Sequence, residues 1–294
     1  MSKSNLALIK RGIWYIAGFF LLYAPFAFFQ RFLTGVFRLS GRSDIHGACF
    51  RMVVQGLTSG KGLNLLTTSG IIVLLIFIIS FLAGPLFCGK LCTVGAIPEY
   101  ASRLVPDRFK IDLQKYIPSN PVRYGLLAGF FITPALGLSV VCAYCNYSFM
   151  EKLVLGGINL DIGILGSSTI LTGFIWFFLL GVFTKGGRGY CSYLCPIGAV
   201  QNLIHRVGLM FPFTYKLKLS RENCISCGIC TKECPKRALN INDSYLTYNV
   251  HSCITCSQCI HVCPKKALFY GSGKANWSGV PEKEKDSSSK GVVV

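Results

Sequence analysis

Fifteen of the 294 residues are cysteine, and eight of these fall into two copies of one spacing. The first copy reads Cys224-Ile-Ser-Cys227-Gly-Ile-Cys230-Thr-Lys-Glu-Cys234-Pro235; the second, 29 residues later, reads Cys253-Ile-Thr-Cys256-Ser-Gln-Cys259-Ile-His-Val-Cys263-Pro264. Three thiolates spaced by two residues can wrap one face of an iron–sulfur cubane, while a fourth, followed by proline, crosses to the cluster of the other copy. The spacing therefore predicts two four-iron, four-sulfur clusters. Cys224, Cys227, Cys230 and Cys263 would hold one, and Cys253, Cys256, Cys259 and Cys234 the other. Zinc takes four ligands from two Cys-x2-Cys knuckles and does not account for an unbroken four-cysteine run ending in proline. Disulfides do not suit a reducing cytoplasm. Gly228 and Ser257 are small neighbours that leave backbone amides free to approach the sulfurs.

Four further cysteines belong to an internal repeat. Phe87-Cys88-Gly-Lys-Leu-Cys92-Thr-Val-Gly95-Ala96 aligns with Tyr190-Cys191-Ser-Tyr-Leu-Cys195-Pro-Ile-Gly198-Ala199 at a constant offset of 103, and the match extends to Arg103 and Arg206. Cys-x3-Cys sets two thiols one helical turn apart. If the two copies pack face to face, Cys88, Cys92, Cys191 and Cys195 could converge on a metal or a third cluster, act as redox pairs, or simply pack. Cys142 and Cys145 form a separate Cys-x2-Cys, and a looser loop similarity pairs Cys49 with Cys145. A disulfide, a redox pair, a metal site and a buried structural role all stay open for these three.

The elements that must position these thiols are apolar. Hydrophobic residues make up 52% of the chain and mean hydropathy is +0.50, too apolar for an ordinary soluble two-domain protein. Stretches long enough to span the ~30 Å hydrocarbon layer run at about 12–29, 69–87, 124–141 and 167–184. Pro134 is expected to kink the third. The chain thus predicts an α-helical integral membrane protein: a four-helix bundle built from a duplicated helical hairpin over 1–215, a two-cluster ferredoxin domain over 216–270 and a disordered tail over 271–294.

Lys3, Lys10, Arg11, six basic residues between the second and third spans and a basic C-terminus, against Lys152 alone in 142–166, place the N-terminus and the ferredoxin domain in the cytoplasm. The first loop, with Arg31, Arg38, Arg42, Arg51 and Lys61, runs against this pattern. The formal charge of +18 falls to roughly +14 with two dianionic clusters bound. Lipid headgroups account for the remainder, so Arg103, Arg108, Lys110, Arg206, Lys216 and Lys218 are expected at the membrane surface and no nucleic acid is called for.

The four histidines, His46, His205, His251 and His261, all fall outside the expected spans, which excludes a transmembrane haem with paired histidines; no Cys-x-x-Cys-His marks covalent haem. Neither a Gly-x-Gly-x-x-Gly after a strand nor a Walker loop occurs. Electrons must come from another molecule.

The order of four spans, a Cys-x3-Cys after the second and fourth, and a terminal two-cluster ferredoxin resembles the NapH type of membrane ferredoxin and the C-terminal membrane half of the nitrous oxide reductase regulator. That family follows the motif with proline, kept here as Pro196 and replaced by Thr93 in the first copy. The resemblance implies a multi-pass protein of a prokaryotic cytoplasmic membrane that accepts electrons from the quinol pool and passes them to a protein partner. A flavin-bearing donor would serve the same relay. The rival expectation is an assembly or regulatory protein that delivers reducing equivalents across the membrane to outer thiols such as Cys142 and Cys145, or to a metalloenzyme being matured.

Overall fold

The computed structural model describes residues 3–23, 25–39, 49–58, 67–136, 145–159, 171–242, 245–274 and 277. Cys142, the outer part of the third expected span, the start of the fourth and the tail beyond 277 lie outside them. The helical region comprises α1 (Lys3–Leu22), α2 (Phe28–Val36), α3 (Phe50–Thr58), α4 (Thr68–Ala83), α5 (Thr93–Leu104), α6 (Leu113–Tyr116), α7 (Ser119–Ala135), α8 (Asn146–Asn159), α9 (Leu171–Val182), α10 (Gly189–Tyr193) and α11 (Pro196–Gly208). The C-terminal region comprises β1 (Lys216–Leu219), α12 (Ile229–Lys232), β2 (Leu239–Asn242), β3 (Tyr245–Tyr248), α13 (Gln258–Val262) and β4 (Leu268–Gly271).

Among the described residues one helix, over Asn5–Leu22, is long and apolar enough to cross a membrane; Thr68–Ala83 and Leu171–Val182 are apolar but shorter. The first expected span, about 12–29, differs from what forms. α1 begins at Lys3, ends at Leu22, and a second helix starts at Phe28. Pro25 has no N–H to continue the ladder, and Ala27 turns the chain with φ of 41°. Thr67 starts α4 by accepting a hydrogen bond from the Gly70 amide at 3.2 Å, and Gly84, with φ of 79°, ends it.

The two copies of the repeat pack reciprocally. α4 of the first copy lies against α11 of the second, and α5 of the first lies against α9 of the second. The correspondence reaches individual hydrogen bonds. The Cys92 amide donates to the Phe87 carbonyl at 2.8 Å and the Cys195 amide to the Tyr190 carbonyl at 3.2 Å, each a wide five-residue step of the kind found at functional sites. Thr93, where the second copy has proline at the first position of α11, donates its hydroxyl to the Tyr15 carbonyl at 2.8 Å, a bond proline could not make.

In the C-terminal region β1 pairs antiparallel with β4 from Lys216↔Gly271 to Leu219↔Leu268, closing the domain's start onto its end, and β2 pairs with β3 from Leu239↔Tyr248 to Asn242↔Tyr245. Leu217, Leu219, Leu239, Leu246 and Leu268 fill its core around Cys230. This region is joined to the helices rather than hung from them. Ile254 and Cys256 are buried in one cluster with Phe87, Cys88, Cys92, Val94, Trp176 and Tyr190. A Cβ on Gly89 would stand 2.0 Å from the Ile254 carbonyl oxygen. Gly89→Ala is therefore expected to cost about 1–3 kcal/mol, the range for overpacking a filled core, and to loosen the 253–256 loop, read as faster amide exchange there.

Candidate metal centre

Each cysteine run is a loop of alternating backbone hand. Ser226 and Gly228 take φ of 51° and 74°, and Thr255 and Ser257 at the matching positions take 54° and 62°. Left-handed residues at these places turn amides toward the enclosed sulfurs, as in backbone nests that favour anions. After each Cys-Pro pair the pattern repeats: Arg237 and Lys266 both have φ of 50°, and the Ala238 and Ala267 amides donate to Cys234 Sγ and Cys263 Sγ, both at 3.3 Å. The Thr255 amide donates to Cys253 Sγ at 3.4 Å.

Two pockets divide the eight thiols. One is lined by Cys224, Cys227, Cys230 and Cys263, the other by Cys234, Cys253, Cys256 and Cys259. Cys263 thus faces the first run and Cys234 the second. Burial, then the neighbouring Cys263, Cys227 and Cys224, push the Cys230 thiol up to about 11; burial, then Cys256, push Cys234 up to about 12. Thiols crowded this way ionise readily only when positive charge arrives among them, which iron would supply. Among the described residues no three His, Cys, Asp or Glu side chains converge closely enough to share one metal ion. Each quartet lines its own pocket with four thiols and no His, Asp or Glu, the all-cysteine donor set of an iron–sulfur cubane.

The helices fasten the second run. Asn202 on α11 donates to the Val250 and Cys253 carbonyls at 2.8 and 2.6 Å; Arg123 on α7 donates to Asn202 Oδ1 at 2.9 Å and to the His251 carbonyl. The Tyr124 hydroxyl lies 2.6 Å from His251 Nδ1. Asp112 pairs with Arg237, and Arg103 on α5 with Glu233 at 3.2 Å.

The thiols of the repeat also come together. Cys88, Cys92 and Cys256 share one buried cluster, with Cys195 packed against it. The Cys88 thiol is pushed well up by burial, then by Cys92, Cys195 and Cys191. The Gly198 amide donates to Cys195 Sγ at 3.5 Å, and the Tyr147 hydroxyl lies 3.6 Å from Cys92 Sγ. Cys49 and Cys145 are half-buried just ahead of α3 and α8, and Cys142 lies outside the described residues.

Charge around these thiols is where counting basic residues misled. Arg11, counted as flanking the first span, is buried and donates to Tyr15 at 2.8 Å and to Glu99 at 3.0 Å. Arg188 donates to Glu99 at 2.6 Å, to the Tyr15 hydroxyl at 2.7 Å and to the Cys88 carbonyl at 2.9 Å. Lys236, also buried, donates to the Cys191 carbonyl at 2.9 Å. Burial and Arg123 push its ammonium down to about 7, against an upward pull from Cys191, Cys88 and Cys195. Lys216, expected at headgroups, is instead buried and donates to the Leu209 and Phe211 carbonyls at 2.9 and 2.8 Å, at and just past the C-terminal end of α11, where carbonyls need donors. One signal was present in the sequence: Glu99 and Asp44 are the only acids in the first 106 residues, and Glu99 follows a cysteine motif.

The family described as "4Fe-4S binding domain" matches residues 65–112 and again 169–216, and the family described as "4Fe-4S dicluster domain" matches 216–264. The putative electron transport protein YccM of Escherichia coli is 32% identical over 165 residues, covering 54% of this chain and 44% of YccM. The methylamine utilization ferredoxin-type protein MauN of Paracoccus denitrificans is 29% identical over 160 residues, 52% of this chain and 49% of MauN. The ferredoxin-type protein NapH of Escherichia coli is 27% identical over 186 residues, 63% of this chain and 59% of NapH. The matches span about half the length of these curated relatives. No solved structure matches. With a duplicated 4Fe-4S segment, a dicluster domain and these relatives in common, the chain belongs to the NapH-type family of ferredoxin-type electron-transport proteins.

Proposed function

We propose that this chain is a membrane-embedded relay that takes electrons from a membrane quinol and hands them to a protein partner at the cytoplasmic face. Cys224, Cys227, Cys230 and Cys263 would hold one cluster and Cys234, Cys253, Cys256 and Cys259 the other. The observation that carries the reading is the burial of Cys256 in one core with Cys88 and Cys92, which sit where the apolar helices end. A ligand of the second quartet is thereby sealed against the helical region, without a solvent gap between lipid side and ferredoxin side.

Membrane embedding of more than α1 rests on outward-facing apolar surface. Ile13, Trp14 and Ile16 on α1, Ile78 and Ile79 on α4, Ile132 on α7 and Phe174 and Leu179 on α9 are all exposed. Large apolar patches of this kind mark lipid or protein contact. A four-span topology with the N-terminus and ferredoxin domain in the cytoplasm is the arrangement that covers them.

When bound, the clusters supply one-electron acceptors, which a two-electron donor such as quinol requires. The chain's own part is to bury one thiol of each quartet, Cys230 and Cys256, and to aim amides at the sulfurs. The Ala238, Ala267 and Thr255 donors stabilise negative charge on sulfur and so raise the ease of reduction. The test is to purify the protein anaerobically in lipid, add menaquinol or ubiquinol, and record the reduced-cluster EPR signal. Reduction by quinol, or quinone-driven reoxidation of dithionite-reduced clusters, is expected. Clusters that dithionite reduces but no quinol or quinone touches would overturn the quinone assignment.

A further inference from the structure

We propose that Cys88, Cys92, Cys191 and Cys195 together hold a third iron–sulfur cluster, ligated across the two copies of the repeat and balanced by the buried cations Arg123, Arg188 and Lys236. The proposal rests on reading the chain as an iron–sulfur relay.

Three independent features of the site converge. The first is the reciprocal packing, which brings two helix starts to one place. Cys92 and Cys195 stand immediately before α5 and α11, and Cys195 Sγ accepts a hydrogen bond from the Gly198 amide three residues on, at 3.5 Å. The positive ends of two helices, 12 and 13 residues long, therefore face the thiols. The halves also touch across the repeat: a Cβ on Gly95 would lie 3.3 Å from Cys191 Sγ. Glycine is what lets the first copy's helix start approach the second copy's thiol.

The second feature is uncompensated positive charge. Glu99 offsets one of Arg11 and Arg188. Arg123 and Lys236 bond, among the described residues, to neutral oxygens: Asn202 Oδ1 and the His251 carbonyl for Arg123, the Cys191 carbonyl for Lys236. That leaves three buried cations in excess, all within electrostatic reach of Cys191, and Arg123 and Lys236 also of Cys88 and Cys195. Burying unpaired cations is costly, and proteins do so where an anion arrives. A four-thiolate cubane carries about two negative charges oxidised and one more when reduced. Neutral thiols used only for packing would leave the cations unexplained.

The third feature is the kind of body the thiols suit. No three of them converge tightly enough for one ion, and the two ferredoxin quartets behave the same way. A lone zinc, with Zn–S bonds of about 2.3 Å, would need its sulfurs drawn close together, and among the described residues no such group forms. A cluster here would lie between the ends of the apolar helices and the second quartet, whose Cys256 it adjoins. The relay would then run from the helical region through this cluster to the ferredoxin pair.

The test is iron and acid-labile sulfide content of the full chain purified anaerobically in lipid, with Mössbauer and EPR spectra. The expectation is about 12 irons per chain rather than about 8. Cys88→Ser and Cys191→Ser, from different copies, should each lose the same signal, about four irons, and the double variant should lose no more. About 8 irons in the wild type, with both variants unchanged, would overturn the third cluster while leaving the relay intact. Iron unaffected by substitution in the ferredoxin quartets would instead overturn the relay reading itself. Lys236→Gln separates charge balance from folding: the signal missing in Cys88→Ser should move to lower potential, and Lys236→Arg should restore it. An unmoved potential in Lys236→Gln would remove Lys236 from the counter-charges.

Discussion

Replacing Cys234 by serine is expected to remove the cluster of the second run and spare the one built mostly by its own. Cys234 follows Cys224, Cys227 and Cys230 in sequence but lines the pocket of Cys253, Cys256 and Cys259. Cys263→Ser should do the reverse, because Cys263 lines the pocket of Cys224, Cys227 and Cys230. Serine keeps the shape but is a poor ligand for a soft metal. The measurement is iron per chain together with the two reduced-cluster EPR signals and their mutual broadening. Each variant should lose about four irons and the spin coupling between the pair. Loss of the cluster of a variant's own run, in either case, would refute crossed ligation. Loss of both clusters in both variants would mean that the pair assembles only as a unit.

The second large effect is expected at Glu99. This carboxylate is buried, and although burial pushes its pKa up, Arg188 and Arg11 outweigh that and hold it below the usual carboxylate value. Glu99→Gln keeps the shape, removes the charge and leaves two buried arginines unpaired, a change that costs about 3–5 kcal/mol in comparable buried networks. Thermal or denaturant unfolding in detergent, followed by circular dichroism, reads the loss. The pH dependence has a definite sign. Because the folded pKa lies below the unfolded one, the stabilisation is complete above the ordinary carboxylate range and disappears as pH falls through the folded value. The gap between wild type and Glu99→Gln should therefore be widest near neutral pH and shrink on acidification below about 4. A gap that is flat with pH would show that Glu99 acts through packing rather than charge.

Arg123 and Lys236 illustrate why sequence reading went only so far. The eight ferredoxin cysteines announce themselves because cluster ligation demands fixed local spacing, and local spacing is written directly in the chain. The repeat was equally open, since duplication preserves residue type at a constant offset, from Phe87 and Tyr190 to Arg103 and Arg206. Cations are different. A lysine or arginine has the same letter whether it snorkels to a headgroup or lies buried under a helix end, and Lys216, Lys236, Arg11 and Arg188 were all open to the first reading until their neighbours were known. The end of α1 falls between these cases. Pro25 stands inside the apolar run through Phe29, and hydropathy alone does not register a helix breaker.

By itself, then, the sequence determined the candidate ligands, their grouping into two runs and a duplicated pair, and the apolar character of the helices, all properties of residues near one another in the chain. The tertiary structure alone decided that α4 packs on the other copy's α11, that α5 packs on the other copy's α9, and that Cys88, Cys92, Cys191 and Cys195 therefore meet. It also decided that Ile254 and Cys256 are sunk into the helical core and that Arg188 and Glu99 bond each other across 89 residues. Contacts at such separations depend on how whole helices fit together, and no local spacing encodes which face of one helix will be buried against another.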